Sequence, residues 1–226
     1  MLISIEGNDG SGKETQSKML YEFFQKNNID SGLVAFPNYD CESSSLVKMY
    51  LNGSFGDSPD DVDPKAASIF YACDRYASYK MFWEKDFREG KVIISDRYTT
   101  SNVIHQASKI DDIQKRDEFI AWLFDLEYNI FGIPKPNETI FLNMPFEFSR
   151  ELIRNRRNKF SGKNQKDIHE ANEEYLIKTY KNTMDILEKL AWIKIDCVDE
   201  NNQLKSIEAI HQEIVDILIK KYEFKR

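Results

Sequence analysis

The stretch "LISIEGNDGSGKETQ", residues 2–16, decides the fold. A short apolar run of strand length leads into Gly7-Asn8-Asp9-Gly10-Ser11-Gly12-Lys13, and an amphipathic helical pattern follows. Residues 7–13 match G-x-x-x-x-G-K, the loop that cradles phosphates, and the match fails at the next position, where Glu14 replaces Ser or Thr. The glycines let the backbone curl so that successive N–H groups point inward at phosphate oxygens. The helix that starts near Lys13 adds its positive N-terminal end. Lys13 brings a mobile positive charge for the β- and γ-phosphates. Gly7 to Lys13, with Glu14 and Thr15, are therefore the candidate ATP-binding residues of this loop. Glu14 is expected to face solvent on the first helical turn, where a carboxylate suits the helix dipole. The metal-binding role of the absent hydroxyl then passes to Asp9, Thr15 or Asp96, because magnesium prefers carboxylate and water oxygens.

Working outward, apolar strands alternate with helical patterns. "LISIE" (2–6), "GLVAF" (32–36), "KVIISD" (91–96), "ETIFLN" (138–143) and "WIKIDCV" (192–198) read as strands. Helical patterns fall at 13–27, 44–53, 63–90, 100–109, 114–131, 145–157, 166–190 and 206–224. Asp63 and Pro64 form a start signal for the long helix 63–90, and Gly90 a stop. This alternation implies an α/β fold: five parallel strands with helices on both faces. Ligands in such a fold sit beyond the carboxyl ends of the strands. Residues 8–12, 36–39 and 96–98 all follow strands directly. No repeat or linker divides the chain, so a single domain over 1–226 is expected.

Bulk properties narrow the role. The chain has 226 residues, 41% apolar and 31% charged, with net charge −7, which argues against general nucleic-acid binding. Three cysteines, Cys41, Cys73 and Cys197, without a C-x-x-C pair fit reduced thiols. "MLISIEG" lacks a basic region and a long apolar core, so no signal peptide is expected. No apolar run reaches the roughly 20 residues of a membrane span. The cytoplasm is the expected location.

Three further stretches carry chemistry. "SDRY" (95–98) ends the third strand. Arg97 can grip a phosphate with two parallel hydrogen bonds, and Asp96 can hold a metal-bound water or orient an arginine. Alternatively the two close the strand end as an ion pair. "IFYACDRYASYK" (69–80) puts Tyr71 and Arg75 on one helical face, suited to stacking and hydrogen-bonding a planar base, or else to core packing and a salt bridge. "RELIRNRRNKFSGKNQK" (150–166) is a cationic island in an acidic chain: Arg150, Arg154, Arg156, Arg157, Lys159, Lys163 and Lys166. Over a bound nucleotide it would act as a short mobile lid, at about 150–167, that excludes water and supplies charge.

Taken together, "ISIEGNDGSGK", "FPNY", "FYACDRY", "VIISDRYTTSNVIHQ", the basic lid and "KDIHEANEEYL" resemble thymidylate kinases, within the P-loop nucleoside monophosphate kinases. That resemblance implies transfer of the γ-phosphoryl of ATP to dTMP with Mg2+, in a cytoplasmic homodimer that serves nucleotide biosynthesis, with no nucleic-acid or membrane partner. It implies a monophosphate-binding region at about 36–80. Phe36 and Pro37 would lie beside the pyrimidine, and Tyr39 near the dTMP phosphate. Tyr71 would stack on thymine, Arg75 would hydrogen-bond its O4, and Ser101 and Asn102 would line its edge. Arg97 would bind the dTMP phosphate. Asp9 would approach the 3′-hydroxyl and the metal, with Asp96 as the strand-end acid. Asn8, Asp9, Gly10 and Ser11 include no base, so the catalytic arginine is expected from the lid: Arg154, Arg156 or Arg157, with Arg150 on the ATP. Asp9, Lys13, Arg97 and Arg154 are the catalytic candidates. His105 stands where the family often has an aromatic residue near the sugar, and His169 where some members have Tyr.

Other readings stay open on the residues alone. A kinase for a different nucleotide shares the loop. A deoxynucleoside kinase would need a base after the second strand, where "FPNYDCESS" offers Asp40 and Glu42. A nucleotide-dependent switch protein usually shows N-K-x-D, and "NQKD" (164–167) has the wrong order.

Overall fold

The structure is a computed structural model that describes residues 1–154, 168–222 and 224. Five strands, β1 (Leu2–Gly7), β2 (Ser31–Ala35), β3 (Val92–Asp96), β4 (Glu138–Asn143) and β5 (Ile193–Asp196), form one parallel sheet. Their order is β2-β3-β1-β4-β5, so β1 lies at the centre. All five strands match sequence-predicted segments to within two residues.

The helices are α1 (Lys13–Lys26), α2 (Ser45–Leu51), α3 (Pro64–Ser78), α4 (Glu84–Arg88), α5 (Thr99–His105), α6 (Ile113–Phe124), α7 (Phe146–Arg154), α8 (Ile168–Ala171), α9 (Glu173–Lys189) and α10 (Ile207–Tyr222). They cover both faces of the sheet. On one face, Ile3, Ile5, Ile94 and Leu142 pack against Leu20 and Phe24 of α1 and Ile214 and Leu218 of α10. On the other, Leu2 and Ile93 meet Phe36, Tyr79, Trp83 and Tyr98. Alternation along β1 therefore feeds both layers, as the twofold side-chain period of a strand requires.

Three helical expectations are corrected in detail. The helix expected over 63–90 is not continuous: a π-helical turn at Tyr79–Trp83 separates α3 from α4. The segment 114–131 likewise ends in a π-helical stretch at Asp125–Ile130. The helix expected over 166–190 breaks at Asn172, whose side chain accepts from the Tyr175 N–H at 2.9 Å and starts α9 afresh. The start of α3 agrees with its signal, since Asp63 Oδ1 accepts from the N–H of Lys65 at 2.8 Å and of Ala66 at 3.3 Å.

Apolar bulk at 117–131 goes largely inward. Phe119, Ile120 and Leu123 pack with Val103, Ala107 and Ile186. Ile130 of this segment stays exposed, and so do Ile69, Tyr76, Met81 and Phe82 on α3 and the π-helical turn after it.

Candidate active site

The loop after β1 wraps as its glycines permit. Gly7 has φ 153°, and a Cβ there would lie 2.5 Å from Ser11 Oγ and 2.9 Å from Leu142 O. Gly12 has φ 85° and is the left-handed residue from which α1 starts. No side chain fits the first position, and only glycine adopts the second readily. The curl brings the Ser11 N–H to Asn8 O at 3.1 Å. Lys13 folds back over the loop, its Nζ donating to Asn8 O at 2.7 Å, with Asp9 Oδ1 at 3.9 Å. Burial, then repulsion from Arg97, pushes the Lys13 ammonium down to about 8, against the pull of Asp9 and Asp96.

Arg97 is the centre of the second half. It follows β3 directly and has φ 65°, a conformation a non-glycine residue rarely adopts without enforcement. The enforcement is visible. Its N–H donates to Ile5 O at 3.0 Å, Ser95 Oγ donates to its carbonyl, and the next N–H, of Tyr98, donates to Glu6 Oε1 at 2.9 Å. The side chain is held from three sides: Nη2 donates to Asp9 Oδ1, and Nη1 reaches Ser101 Oγ and His105 Nε2, each at 3.4 Å. Burial opposes the charge on Arg97, but Asp9, Glu6 and Asp96 outweigh it and hold the guanidinium protonated. His105 is buried, and that burial, followed by repulsion from Arg97 and His169, drives its pKa well below the usual imidazole value. It therefore stands beside Arg97 as a neutral acceptor.

Glu6 was not singled out from the sequence, and it organises this corner. It is fully buried and accepts from the Tyr98 N–H, from Thr100 Oγ1 at 2.6 Å and from Ser101 Oγ at 2.7 Å. Burial raises its pKa, against Arg97 and these donors. The available signal was strand period: Leu2, Ser4 and Glu6 share one face of a strand too apolar to be at the surface.

Two more carboxylates were missed. Glu127 is fully buried and meets Arg75 in a fork, Nε to Oε2 at 2.7 Å and Nη2 to Oε1 at 2.6 Å. Thr99 Oγ1 donates to the same carboxylate at 2.7 Å. Nη1 of Arg75 meets Tyr98 O at 3.4 Å, and that edge is the part of the guanidinium that Glu127 does not hold. Asp74 pins the loop after β2: it accepts from the Asn38 N–H at 2.8 Å and from Ser43 Oγ at 2.6 Å. The Phe36–Pro37 peptide in that loop is cis.

The structure thus gathers Asp9, Lys13, Arg97, Ser101 and His105, and joins them through hydrogen bonds and charge. Tyr71, one turn before Arg75 on α3, sets its ring edge-on against Tyr50 at 6.4 Å. Asn102 is buried and donates to Ser68 O at 3.3 Å. His169 accepts or donates at Tyr50 Oη, 2.9 Å away, and its ring stacks on His105 at 5.8 Å. Arg150 pairs with Glu173 at 2.9 Å on the surface. The Arg154 side chain, and Arg156, Arg157, Lys159, Lys163 and Lys166, lie outside the described residues.

A hard divalent cation fits what remains. Asp96 is 6% exposed, its Oδ1 is buried without a hydrogen-bond partner, and burial raises its pKa against Lys13 and Arg97. It shares a cavity of about 680 Å³ with Glu14, Ser17, Lys18 and the loop 36–40. Oxygen donors of this kind suit Mg2+. Asp9, the other expected metal ligand, is engaged by Arg97. Glu14 is exposed on the first turn of α1, as expected, and pairs with Lys18 at 2.8 Å.

Comparison with known proteins agrees with this geometry. The family model described as thymidylate kinase matches residues 5–214. A probable thymidylate kinase of Thermococcus onnurineus is 28% identical over 220 residues, 96% of this chain and 97% of that protein. One from Pyrococcus abyssi is 30% identical over 217 residues, 96% and 94% of the two chains. The solved thymidylate kinase of Candida albicans superposes with a TM-score of 0.75 over 99% of this chain and 93% of its own, at 23% identity, which speaks for the fold. A match that runs from the central strand β1 into α10, carrying the phosphate loop and the strand-end arginine with it, means that the chain belongs to the thymidylate kinase family.

Proposed function

We propose that this chain transfers the γ-phosphoryl group of ATP to dTMP, giving ADP and dTDP on the route to dTTP. The observation that carries this reading is the pair of buried cations, Lys13 in the loop after β1 and Arg97 after β3, both in reach of Asp9 and close enough that Arg97 disfavours the charge on Lys13. Two such cations beyond adjacent strand ends suit two phosphates, one from a donor and one from an acceptor.

In this reading the loop N–H groups and Lys13 hold the β- and γ-phosphates of ATP. Arg97 holds the phosphate of dTMP, kept in place by Asp9, Ser101 and His105. Tyr39 approaches the same phosphate, and Phe36, Pro37, Tyr71 and the Nη1 edge of Arg75 receive the base. Ser101, Asn102 and His105 border the nucleoside. The acceptor is already an anion, so no strong general base is needed, and positioning with charge neutralisation accounts for the rate. A lid arginine, Arg154, Arg156 or Arg157, supplies transition-state charge, and Arg150 addresses the ATP. Asp96 would hold Mg2+, and the bound ion would neutralise charge on the β- and γ-phosphates.

Arg97→Ala tests the assignment. The monophosphate KM should rise and kcat should fall by about 10²-fold or more. A variant with wild-type steady-state constants refutes the role. A panel of dTMP, dUMP, dGMP, UMP and thymidine with ATP tests the substrate, and turnover best with any member but dTMP moves the proposal to that acceptor.

A homodimer and a cytoplasmic site of action belong to the same proposal. Exposed Ile69, Tyr76, Met81 and Phe82, on α3 and the π-helical turn after it, support the first, and sedimentation at micromolar concentration tests it. Three unpaired cysteines agree with a reducing compartment. Among the described residues no helix is long and apolar enough to cross a membrane.

A further inference from the structure

We propose that Glu14 and Asp96 together bind one divalent cation before any nucleotide arrives, so that this loop does with a carboxylate what a Ser or Thr hydroxyl at position 14 does only alongside a bound phosphate. This deepens the phosphotransfer reading and rests on it for the purpose of the ion, though not for its binding.

The two carboxylates come from different elements to one cavity. Glu14 stands on the first turn of α1, directly after Lys13, and Asp96 closes β3, in register with Ile5 of β1. Both line the same cavity, with Ser17 and Lys18 beside them.

Two independent observations point to a ligand. The buried Oδ1 of Asp96 has no hydrogen-bond partner, and neither does the buried Oγ of Ser17, one turn along α1 from Glu14. Buried polar atoms in folded proteins are nearly always satisfied, and an orphaned carboxylate oxygen is completed by a cation or a water. The nearby cations are engaged elsewhere: Lys13 donates to Asn8 O, and Arg97 is paired with Asp9. Among the described residues no ion pair reaches Asp96.

The Glu14–Lys18 ion pair yields at little cost. Lys18 is four residues on, and both side chains are about half exposed. Exposed pairs of this kind contribute little and are screened by salt. A cation beside Asp96 competes for the same carboxylate with twice the charge of Lys18.

The donor set defines the class of ion. It is all oxygen, with two negative charges, which selects Mg2+, Mn2+ or Ca2+ over thiolate- and imidazole-loving metals. No group of three or more His, Cys, Asp or Glu side chains suited to a metal occurs among the described residues. The site is therefore open: water fills the remaining positions, and phosphate oxygens can replace it. A full protein cage would hold the ion too tightly for that exchange.

The test is Mn2+ binding to the nucleotide-free protein, read by electron paramagnetic resonance at pH 7. We expect a single Mn2+ per chain, displaced by Mg2+ and by Ca2+. Glu14→Thr, which restores the hydroxyl of the loop motif, should weaken it about tenfold or more, and Asp96→Asn should weaken it further. Lys18→Ala removes the competing ion pair and should tighten it. Glu14 and Lys18 are exposed, so these two variants fold whatever becomes of Asp96→Asn. Absence of bound Mn2+ at about 1 mM, the weak end for sparse oxygen sites, overturns the proposal. So does a Glu14→Thr protein that titrates like wild type. Turnover of ATP with dTMP in the same preparation separates the two readings. A protein that turns over but binds no Mn2+ alone refutes the preformed site, whereas one that binds Mn2+ but never phosphorylates dTMP refutes the kinase reading.

Discussion

Glu127→Ala removes one half of the most deeply buried ion pair among the described residues. The Arg75 side chain is 2% exposed and Glu127 is 0% exposed, and two hydrogen bonds of 2.6 and 2.7 Å join them. Without the carboxylate, the guanidinium keeps a long contact to Tyr98 O at 3.4 Å, and Thr99 Oγ1 loses its acceptor. Breaking a buried pair from one side costs about 3–5 kcal/mol, because a charge is left dry and uncompensated. That is about a fifth or more of the roughly 5–15 kcal/mol that holds a domain together. For a chain of this size the melting temperature should fall by about 6–20 °C. Urea titration followed by circular dichroism measures the loss directly. The double variant Arg75→Met with Glu127→Leu is the decisive control, since it leaves no orphaned charge and should recover most of the stability. Binding of dTMP should stay weak in that double variant, because the Nη1 edge is gone. If Glu127→Ala lies within about 1 kcal/mol of wild type, water reaches Arg75 and the energetic argument fails.

Three further outcomes follow from charge and burial. The folded pKa of Lys13, about 8, lies below the 10.5 of a free lysine, so between those values the unfolded chain holds more protons and stability rises with pH. Lys13→Met should flatten that rise in urea melts, and in the wild type the KM for ATP should climb above about pH 8 as the ammonium is lost. His169 is pushed by burial, then by Lys109, down to about 3, far below the 6.5 of a free imidazole. As pH falls from 6.5 toward 3 the unfolded chain gains a proton that the folded chain refuses, so stability drops, and His169→Phe should shrink that drop. Asp74→Ala releases Asn38 and Ser43 from α3. We expect it to raise the KM for dTMP several-fold with a smaller change in kcat, measured in steady state, because the loop is loosened while the transferring groups stay in place.

The legible and the illegible parts of the sequence differ in range. The loop at 7–13 was readable because its requirement is local: glycines where the backbone turns left-handed or meets Leu142, then a lysine at a helix start. The five strands were readable because both faces are buried, so each shows as an apolar run. Glu127 was not, although its signal existed. Phe119, Leu123 and Glu127 recur every four residues, and a carboxylate on an apolar stripe demands a partner. That partner, Arg75, is 52 residues away in sequence, and only the packing of α3 against the segment after α6 reveals it. Asp74 was hidden by its neighbour. In "CDRY" the arginine drew the functional reading, while the aspartate beside it holds the loop after β2. The π-helical turns at 79–83 and 125–130 left no mark, since pairs such as Tyr79 with Trp83 and Leu126 with Ile130 keep an apolar i, i+4 spacing through them.

Position 14 shows how charge is distributed in this site. Asp9 is the other expected metal ligand, but Arg97 engages it, and Glu6 holds the backbone that presents Arg97. With Asp9 engaged, Asp96 is left as a lone buried carboxylate near two cations that are each committed elsewhere. A hydroxyl at position 14 would give an incoming cation one net negative charge from the protein; Glu14 gives it two. The extra charge lies on the exposed first turn of α1, away from the curled N–H groups that receive phosphate, so it strengthens the metal side of the loop without repelling the anion side. An acidic residue in a phosphate loop is therefore consistent with a working site, provided that it faces the cavity of Asp96 rather than the cradle. Glu14→Gln separates these alternatives: if nucleotide binding without metal improves strongly in that variant, Glu14 points at the phosphates and the assignment to the metal side is wrong.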